Sequence, residues 1–249
     1  MSRSPVIGAL AADEIQTRGT FQERLMDKYQ INPMPQQIDS ALASRAANVE
    51  TATIGHIRQL GFADPAIAPM MPATTVIGTA VTLALPGQDS TLLHDVAGRL
   101  RPGDVLVIDR LGDHKHACLG GGVACAIKAA GCEAVVIDGP ATDRLEILDF
   151  GLPVWSRGLS PVTTRLYDIG GALNVPISCG GAAVLPGWVV VADDSGVLFM
   201  PPDEAPPFID WALEKQIQEP ASHKLIREEG ARLGDLTGAS AKVAAALES

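Results

Sequence analysis

The fold is decided by PGDVLVIDRLGDHKHACLGGGVACAIKAAGCEAVVIDG, residues 102–139. Pro102-Gly103-Asp104 turns the chain into Val105-Leu106-Val107-Ile108-Asp109, a continuous apolar run of the kind found in a strand covered on both faces. Ala134-Val135-Val136-Ile137-Asp138 repeats that pattern. Between them, Gly120-Gly121-Gly122 opens a helical segment, Val123 to Ala130, that Gly131 ends. Strand, glycine turn, helix and strand together make a βαβ unit of about 30 residues. A right-handed crossover makes the two strands parallel and brings Asp109 and Asp138 to the same sheet edge, where α/β proteins build their sites.

Working outward, Thr74 to Leu85 is β-branched, punctuated by Gly78 and stopped by Pro86-Gly87, after which Asp89 or Ser90 can cap a helix to about Leu100. Upstream, Phe21 to Gly61 is rich in helix formers, interrupted at Asn32 to Pro35, with Ile38, Leu42, Ile54, Ile57 and Leu60 at helical spacing. This predicts two or three helices before the first long strand. Downstream, Thr142 to Phe150 reads as a short helix. Pro153 to Ser156, Val175 to Ser178, Ala182 to Leu185, Val189 to Ala192 and Val197 to Met200 read as strands, and turn residues between the last four imply an antiparallel or mixed β layer. From Asp203 the pattern returns to an amphipathic, exposed helix broken at Pro220. We therefore expect one domain over 1–249, with a core at about 50–202 and helical extensions at 1–49 and 203–249.

Composition narrows the function. With 47% hydrophobic residues the chain carries enough apolar material for a sizeable core, which excludes disorder over most of its length. Twenty-nine acidic residues against nineteen Lys and Arg give a formal charge of -10, a field that repels nucleic-acid phosphates and anionic lipid. No apolar run has the length of a membrane span, and Met1 to Ala12 lacks the form of a signal peptide. Cys118, Cys125, Cys132 and Cys179 include no CxxC pair, so neither a disulfide framework nor a zinc ribbon is expected. These features describe a soluble cytoplasmic protein with reduced, mostly buried thiols.

Several constellations can carry chemistry. The free N–H groups and dipole of a helix opened by Gly120 to Gly122 can receive a carboxylate or phosphate, although three glycines also serve close packing of a helix end against a sheet. No dinucleotide or Walker fingerprint accompanies them. Asp143 and Glu146, three residues apart, share one face of a first helical turn and can hold a hard divalent cation; the same spacing fits a capping box. Asp113-His114-Lys115-His116 offers an HxH pair for a transition metal, with Asp113 or Asp109 as third ligand, or else two solvated histidines. His94 and His56 read as structural or surface residues. The nucleophile elbow of a Ser-His-Asp hydrolase is absent.

Taken in order, PGDVLVID at 102–109, GGG at 120–122, VVIDG at 135–139, Asp143 with Glu146, NVPISCGG at 174–181 and PGWVVVADDSGV at 186–197 resemble the RraA-like family. That family includes class II 4-hydroxy-4-methyl-2-oxoglutarate/4-carboxy-4-hydroxy-2-oxoadipate aldolases and regulators of ribonuclease E activity. The resemblance covers about residues 50–202. It implies an α/β/β sandwich of the swivelling-domain type, assembled as homo-trimers or hexamers with the active site at a subunit interface.

In the aldolase branch a glycine is followed after about twenty residues by Arg-Asp-x-x-Glu/Asp. Matched onto this chain, Gly121 is the glycine, Asp143 the Asp that helps hold Mg²⁺ or Mn²⁺, and Glu146 the trailing acid. The position of the pyruvate-clamping Arg is Thr142, which offers one neutral hydrogen bond where a guanidinium gives a charge-assisted fork. Arg110, just beyond the first inner strand, stands at the correct sheet edge to supply a substitute charge, whereas Arg144 should project elsewhere. The implied mechanism has Mg²⁺ or Mn²⁺ near Asp143 chelate a 2-oxo acid and stabilise the enolate left by carbon–carbon cleavage, with the amides of Gly122 and Val123 on the substrate carboxylate and a metal-associated water moving the proton. Aldol cleavage and oxaloacetate decarboxylation share that enolate. The competing expectations are a non-catalytic regulator that binds a protein partner, and a metal-dependent lyase or hydrolase with another substrate.

Overall fold

The computed structural model describes residues 27–248. The readings made for Met1 to Ala12 and for the beginning of a helical region at Phe21 lie outside those residues. In chain order the described residues form β1 (Tyr29–Ile31), α1 (Ser40–Ala46), α2 (Thr51–Gly55), β2 (Ala68–Pro69), β3 (Val76–Ala84), α3 (Thr91–Ala97), β4 (Asp104–Asp109), α4 (Gly121–Ala129), β5 (Ala134–Ile137) and α5 (Arg144–Asp149). There follow β6 (Val154–Ser156), β7 (Gly171–Leu173), β8 (Ile177–Cys179), β9 (Ala182–Val184), β10 (Val189–Asp193) and β11 (Gly196–Met200). The helices α6 (Ala205–Glu229), α7 (Leu233–Leu236) and α8 (Ala239–Leu247) complete them. None of the described helices is long and apolar enough to cross a membrane.

Strands β3, β4, β5 and β6 lie side by side and parallel, with Val105 opposite Ala134 and Ile108 opposite Ile137, as the βαβ reading requires. Alternation along β4 explains its unbroken apolar run. Leu106 and Ile108 enter a cluster with Leu93 and Val96 of α3, Ala124 and Ile127 of α4, and Ile147 of α5. Val105 and Val107 face the other way, toward Cys179 and Val184 of the β8–β9 hairpin and Val190 and Phe199 of the β10–β11 hairpin. A helical layer therefore covers one face and a β layer the other, which is the expected α/β/β arrangement. Gly78 marks the tightest point of the central sheet: a Cβ there would stand 2.7 Å from Val105 Cγ2 and 2.8 Å from the Gly103 carbonyl oxygen.

Four expectations need correction. Short strands β1 and β2 precede β3 in addition to two helices; β1 is held by pairing with β7, a long-range contact that leaves no periodic mark in three residues. Strand β7 itself was not expected, and β8 starts at Ile177, because Pro176 has no N–H and Asn174 at φ +55° turns the chain between them. Pro220 does not break α6, which runs continuously from Ala205 to Glu229. The helix is solvent-exposed around Pro220, so water can take the carbonyl that loses its donor. The amphipathic expectation holds for the first part of α6 alone, where Ala205, Ile209 and Ala212 are buried against β10, β11, α1 and α2.

Residues 157–170 form an irregular strap over the strand ends, stitched by bridges of Leu159 to Ala141, Thr163 to Ala117 and Arg165 to Asp89. The fully buried Asp89 is its anchor. Its carboxylate accepts from Thr91 N and Oγ1 (3.0 and 2.6 Å), Tyr167 N (3.0 Å) and Ile169 N (2.8 Å). Burial works to raise its pKa, but these bonds outweigh it and bring it to about 2. A folded value below the ordinary 3.8 means that this stabilisation is full above about pH 3.8 and is lost as pH falls through about 2. Asp89→Asn is therefore expected to melt about 4 °C below the wild type at pH 7, with the gap closing near pH 2, as calorimetry across that range would read.

Candidate active site

The ends of β4 and β5 lead into two loops that are tied to each other. Thr142 N donates to the Leu119 carbonyl at 2.9 Å, and Gly121 N donates to Asp143 Oδ2, also at 2.9 Å. Asp143 occupies the N-cap position of its own helix α5 but makes no side-chain cap there. Its backbone is left-handed, φ +50° and ψ +42°, a conformation that Asp tolerates better than most residues. The carboxylate turns to the start of α4 and caps that helix instead. The capping-box alternative for Asp143 and Glu146 is thus replaced by a cap in trans.

The glycines make room for this. A Cβ on Gly120 would stand 2.6 Å from Asp143 Oδ2, and one on Gly121 would stand 1.7 Å from Glu146 Oε2. Gly122 faces open space. The close-packing reading of the triple glycine thus applies to Gly120 and Gly121. Among the described residues the N–H groups of Gly122 and Val123 have no partner, so α4 presents two free amides beside the Asp143 carboxylate.

A cleft of about 290 Å³ opens at this point. Its floor is Gly120, Gly121, Gly122, Val123 and Ala126 of the α4 region, with Thr142 and Asp143 at one side. Ser90, His94 and Ala97 from α3 and its entry close another side, and Ala117, Cys118, Thr163 and Thr164 complete the wall. Thr142 Oγ1 lies 3.2 Å from Asp143 Oδ1. Burial pushes the Cys118 thiol up to about 11 despite the opposing field of Arg110, so this wall is a neutral thiol. No Arg or Lys is among the residues lining the cleft.

Of the expected site residues, Gly121, Gly122, Val123, Thr142 and Asp143 come together here. Glu146 stands immediately behind Gly121, exposed and without a partner among the described residues. Arg110 does not reach the cleft. Its side chain is fully buried, giving Nη2 to the Gly87 carbonyl and, at 3.5 Å, to Asp113 Oδ2, while Nε and Nη1 find no partner. Arg144 points away as expected, onto the Met70 carbonyl at 3.1 Å.

The two histidines of the HxH pair turn to different carboxylates. His116 Nδ1 pairs with Asp113 Oδ2 at 2.8 Å, whereas His114 Nε2 lies 3.7 Å from Asp138 Oδ1. Asp109 spends its oxygens on the N–H groups of Leu111 and Ser178. No three His, Cys, Asp or Glu side chains among the described residues converge as a metal-binding group. Cys118, Cys132 and Cys179 are buried free thiols and Cys125 is exposed.

Sequence reasoning missed His94, Ser90, Thr163 and Thr164. The strap that carries the two threonines has no hydrophobic period, and nothing in a single sequence says that it folds back over α4.

Comparison with known proteins follows the same lines. The family model described as RraA-like, Aldolase/RraA, matches residues 41–199. A protein of Halalkalibacterium halodurans named "Putative 4-hydroxy-4-methyl-2-oxoglutarate aldolase" is 31% identical over 162 residues, which is 65% of this chain and 77% of that protein. The crystal structure of Streptomyces coelicolor RraAS2, described as an unusual member of the RNase ES inhibitor RraA protein family, is similar with a TM-score of 0.66 and 29% identity. It covers 75% of this chain and 98% of its own. The RNA-processing inhibitor RraA from Thermus thermophilis gives a TM-score of 0.56 at 26% identity, over 62% of this chain and 93% of that one.

The trans cap sets a stability test. Asp143→Ala removes the acceptor for Gly121 N and puts a Cβ-bearing residue without a polar side chain at φ +50°, at a combined cost of about 2 kcal/mol. Asp143→Asn keeps an oxygen and tolerates that backbone, so urea unfolding is expected to place it within about 0.5 kcal/mol of wild type.

Proposed function

We propose, from the fact that the chain belongs to the RraA-like family, that it is a divalent-metal-dependent lyase releasing pyruvate from a 2-oxo acid by aldol cleavage, oxaloacetate-type decarboxylation or both. The observation that carries this reading is the trans cap, which holds a carboxylate beside two free helix-start amides in a cleft sized for a small anion. Anions favour such an N-terminus, whereas the outer carboxylates invite a cation, so the two halves of a metal-bound 2-oxo acid find complementary fields.

The donor set supports a hard cation. Asp143 and Glu146 are exposed carboxylates with no ammonium or guanidinium partner among the described residues, and oxygen-only donors suit Mg²⁺ or Mn²⁺. Asp143, with Glu146 beside it, would hold the metal, the remaining positions falling to water and substrate. Bound there, a divalent cation supplies Lewis-acid polarisation of the 2-oxo group. The chain's own part is positional. Gly122 and Val123 amides receive the substrate carboxylate, Thr142 adds one neutral hydrogen bond, and the neutral Cys118 thiol and Ala126 shape the apolar wall.

Exposed Leu159, Val162, Leu166, Tyr167 and Ile169 on the strap support self-association, in the homo-trimer or hexamer expected of the family, next to the cleft that Thr163 and Thr164 line. A second reading, a non-catalytic regulator of a protein partner, is favoured by one observation: no cation lines the cleft where the aldolase branch has its Arg.

The deciding assay is pyruvate release from 4-hydroxy-4-methyl-2-oxoglutarate and from oxaloacetate, coupled to lactate dehydrogenase, with a no-enzyme metal blank. Release above the blank that excess chelator abolishes is expected, with Asp143→Ala lowering kcat/KM about 100-fold or more. Thr142→Arg is expected to raise kcat/KM about tenfold, a charge-assisted fork being worth about 1.4 kcal/mol more than one neutral bond. Absence of chelator-sensitive release from both substrates would favour the regulator.

A further inference from the structure

We infer that His94 is a catalytic acid–base residue of this cleft, taking the hydroxyl proton of the substrate during aldol cleavage and returning it to carbon; this role rests on the lyase reading above. His94 is on α3, across the cleft from the start of α4, and lines the same space as Gly122, Val123, Thr142 and Asp143. Its imidazole is exposed, and no partner among the described residues occupies either ring nitrogen.

Aldol cleavage needs a proton acceptor at the substrate hydroxyl and a donor at carbon. In aldol cleavage the C4 hydroxyl loses its proton to the base, the C3–C4 bond breaks with its electron pair passing to C3 and the adjoining 2-oxo group, and C4–O becomes a carbonyl. The same proton then goes to C3. For 4-hydroxy-4-methyl-2-oxoglutarate the sum is two molecules of pyruvate, with no other reagent consumed. Three side chains lining the cleft can ionise, namely Cys118, Asp143 and His94. The Cys118 thiol is buried and held protonated, and Asp143, bonded to Gly121 N and Thr142 Oγ1, is the carboxylate that would hold the metal. His94 remains, and histidine is the side chain whose protonation changes near neutral pH.

Its surroundings leave it free for this work. On its own helix, Asp95 pairs with Arg99 at 2.8 Å. From the packed helix α4, Lys128 reaches away to the Gly151 carbonyl, and β7 contributes Gly171, Ala172 and Leu173, none of which titrates. On the strap, Arg165 Nη1 turns back to Thr163 Oγ1 at 2.7 Å and to the carbonyls of Thr163 and Thr164. Cys118 and Asp143 face it across the cleft.

The test compares wild type, His94→Gln and His94→Asn on both substrates with Mg²⁺ or Mn²⁺, together with melting curves. Cleavage of 4-hydroxy-4-methyl-2-oxoglutarate is expected to fall about 10²- to 10⁴-fold in kcat, with KM and melting temperature little changed and the acid limb of the pH–kcat profile lost. Oxaloacetate has no hydroxyl proton to remove before losing CO₂, so its decarboxylation is expected to fall less than about tenfold. Equal losses on both substrates, or variants that keep aldol cleavage within about threefold of wild type with an unchanged pH profile, would overturn the role. A wild type that releases no pyruvate from either substrate overturns the lyase reading itself, and this role with it.

Discussion

Strand β4 has no face toward water: Val105, Leu106, Val107 and Ile108 are all fully buried. At roughly 1.5–3 kcal/mol for each large apolar side chain taken out of water, this constraint organises the molecule. Leu106 and Ile108 call for a helical layer, which α3, α4 and α5 supply, while Val105 and Val107 call for a second cover, which the two β-hairpins supply. With both faces closed, the polar work of the sheet is pushed to the ends of its strands. Asp109 and Asp138 are at those ends, but their carboxylates accept the N–H groups of Ser178 and Gly180 and fasten the β8–β9 hairpin to the sheet. The two most visible acids of the sheet edge are thus structural.

The cleft is made one loop further on, by residues whose local preferences are overridden. Asp143 is in a left-handed conformation and forgoes capping α5 in order to cap α4. A non-glycine residue at positive φ costs about 1 kcal/mol or more, and the hydrogen bond to a helix-start amide offsets a similar amount. The balance is close enough that the geometry persists because neighbouring contacts, Thr142 to Leu119 and Ile147 N to the Asp143 carbonyl, hold both sides of it. Glycine at 120 and 121 is the sequence counterpart of that arrangement, since either Cβ would occupy the place of a carboxylate oxygen.

Charge in the cleft follows from what is missing and what is buried. Arg110 keeps its guanidinium under the surface, against the Gly87 carbonyl and Asp113, where it biases Cys118 but meets no solvent. Positive potential at the cleft itself therefore comes from backbone amides, and negative potential from Asp143. The strap that completes the wall is fastened by another carboxylate, Asp89, whose four bonds to backbone and hydroxyl groups are the polar equivalent of a packed core. A polar residue buried in this way is stable only because every oxygen is satisfied.

The sequence by itself determined the parallel β4–β5 pair, the helix between them and an antiparallel or mixed β layer after Asn174, and its family resemblance implied the grouping of Gly121, Gly122, Val123, Thr142 and Asp143. These are legible because apolar runs, glycine turns and fixed spacings are local properties, and because the order of the motifs is itself a pattern. Tertiary structure alone decided that Asp143 caps the neighbouring helix, that Arg110 is buried, that β1 pairs with β7, and that His94, Thr163 and Thr164 share one cleft. Each of these depends on contacts between residues distant along the chain. A carboxylate three residues before a glutamate reads as a capping box until a second helix end, some twenty positions earlier, competes for it. An irregular strap has no period at all, and its place is fixed by buried hydrogen bonds that no spacing rule records.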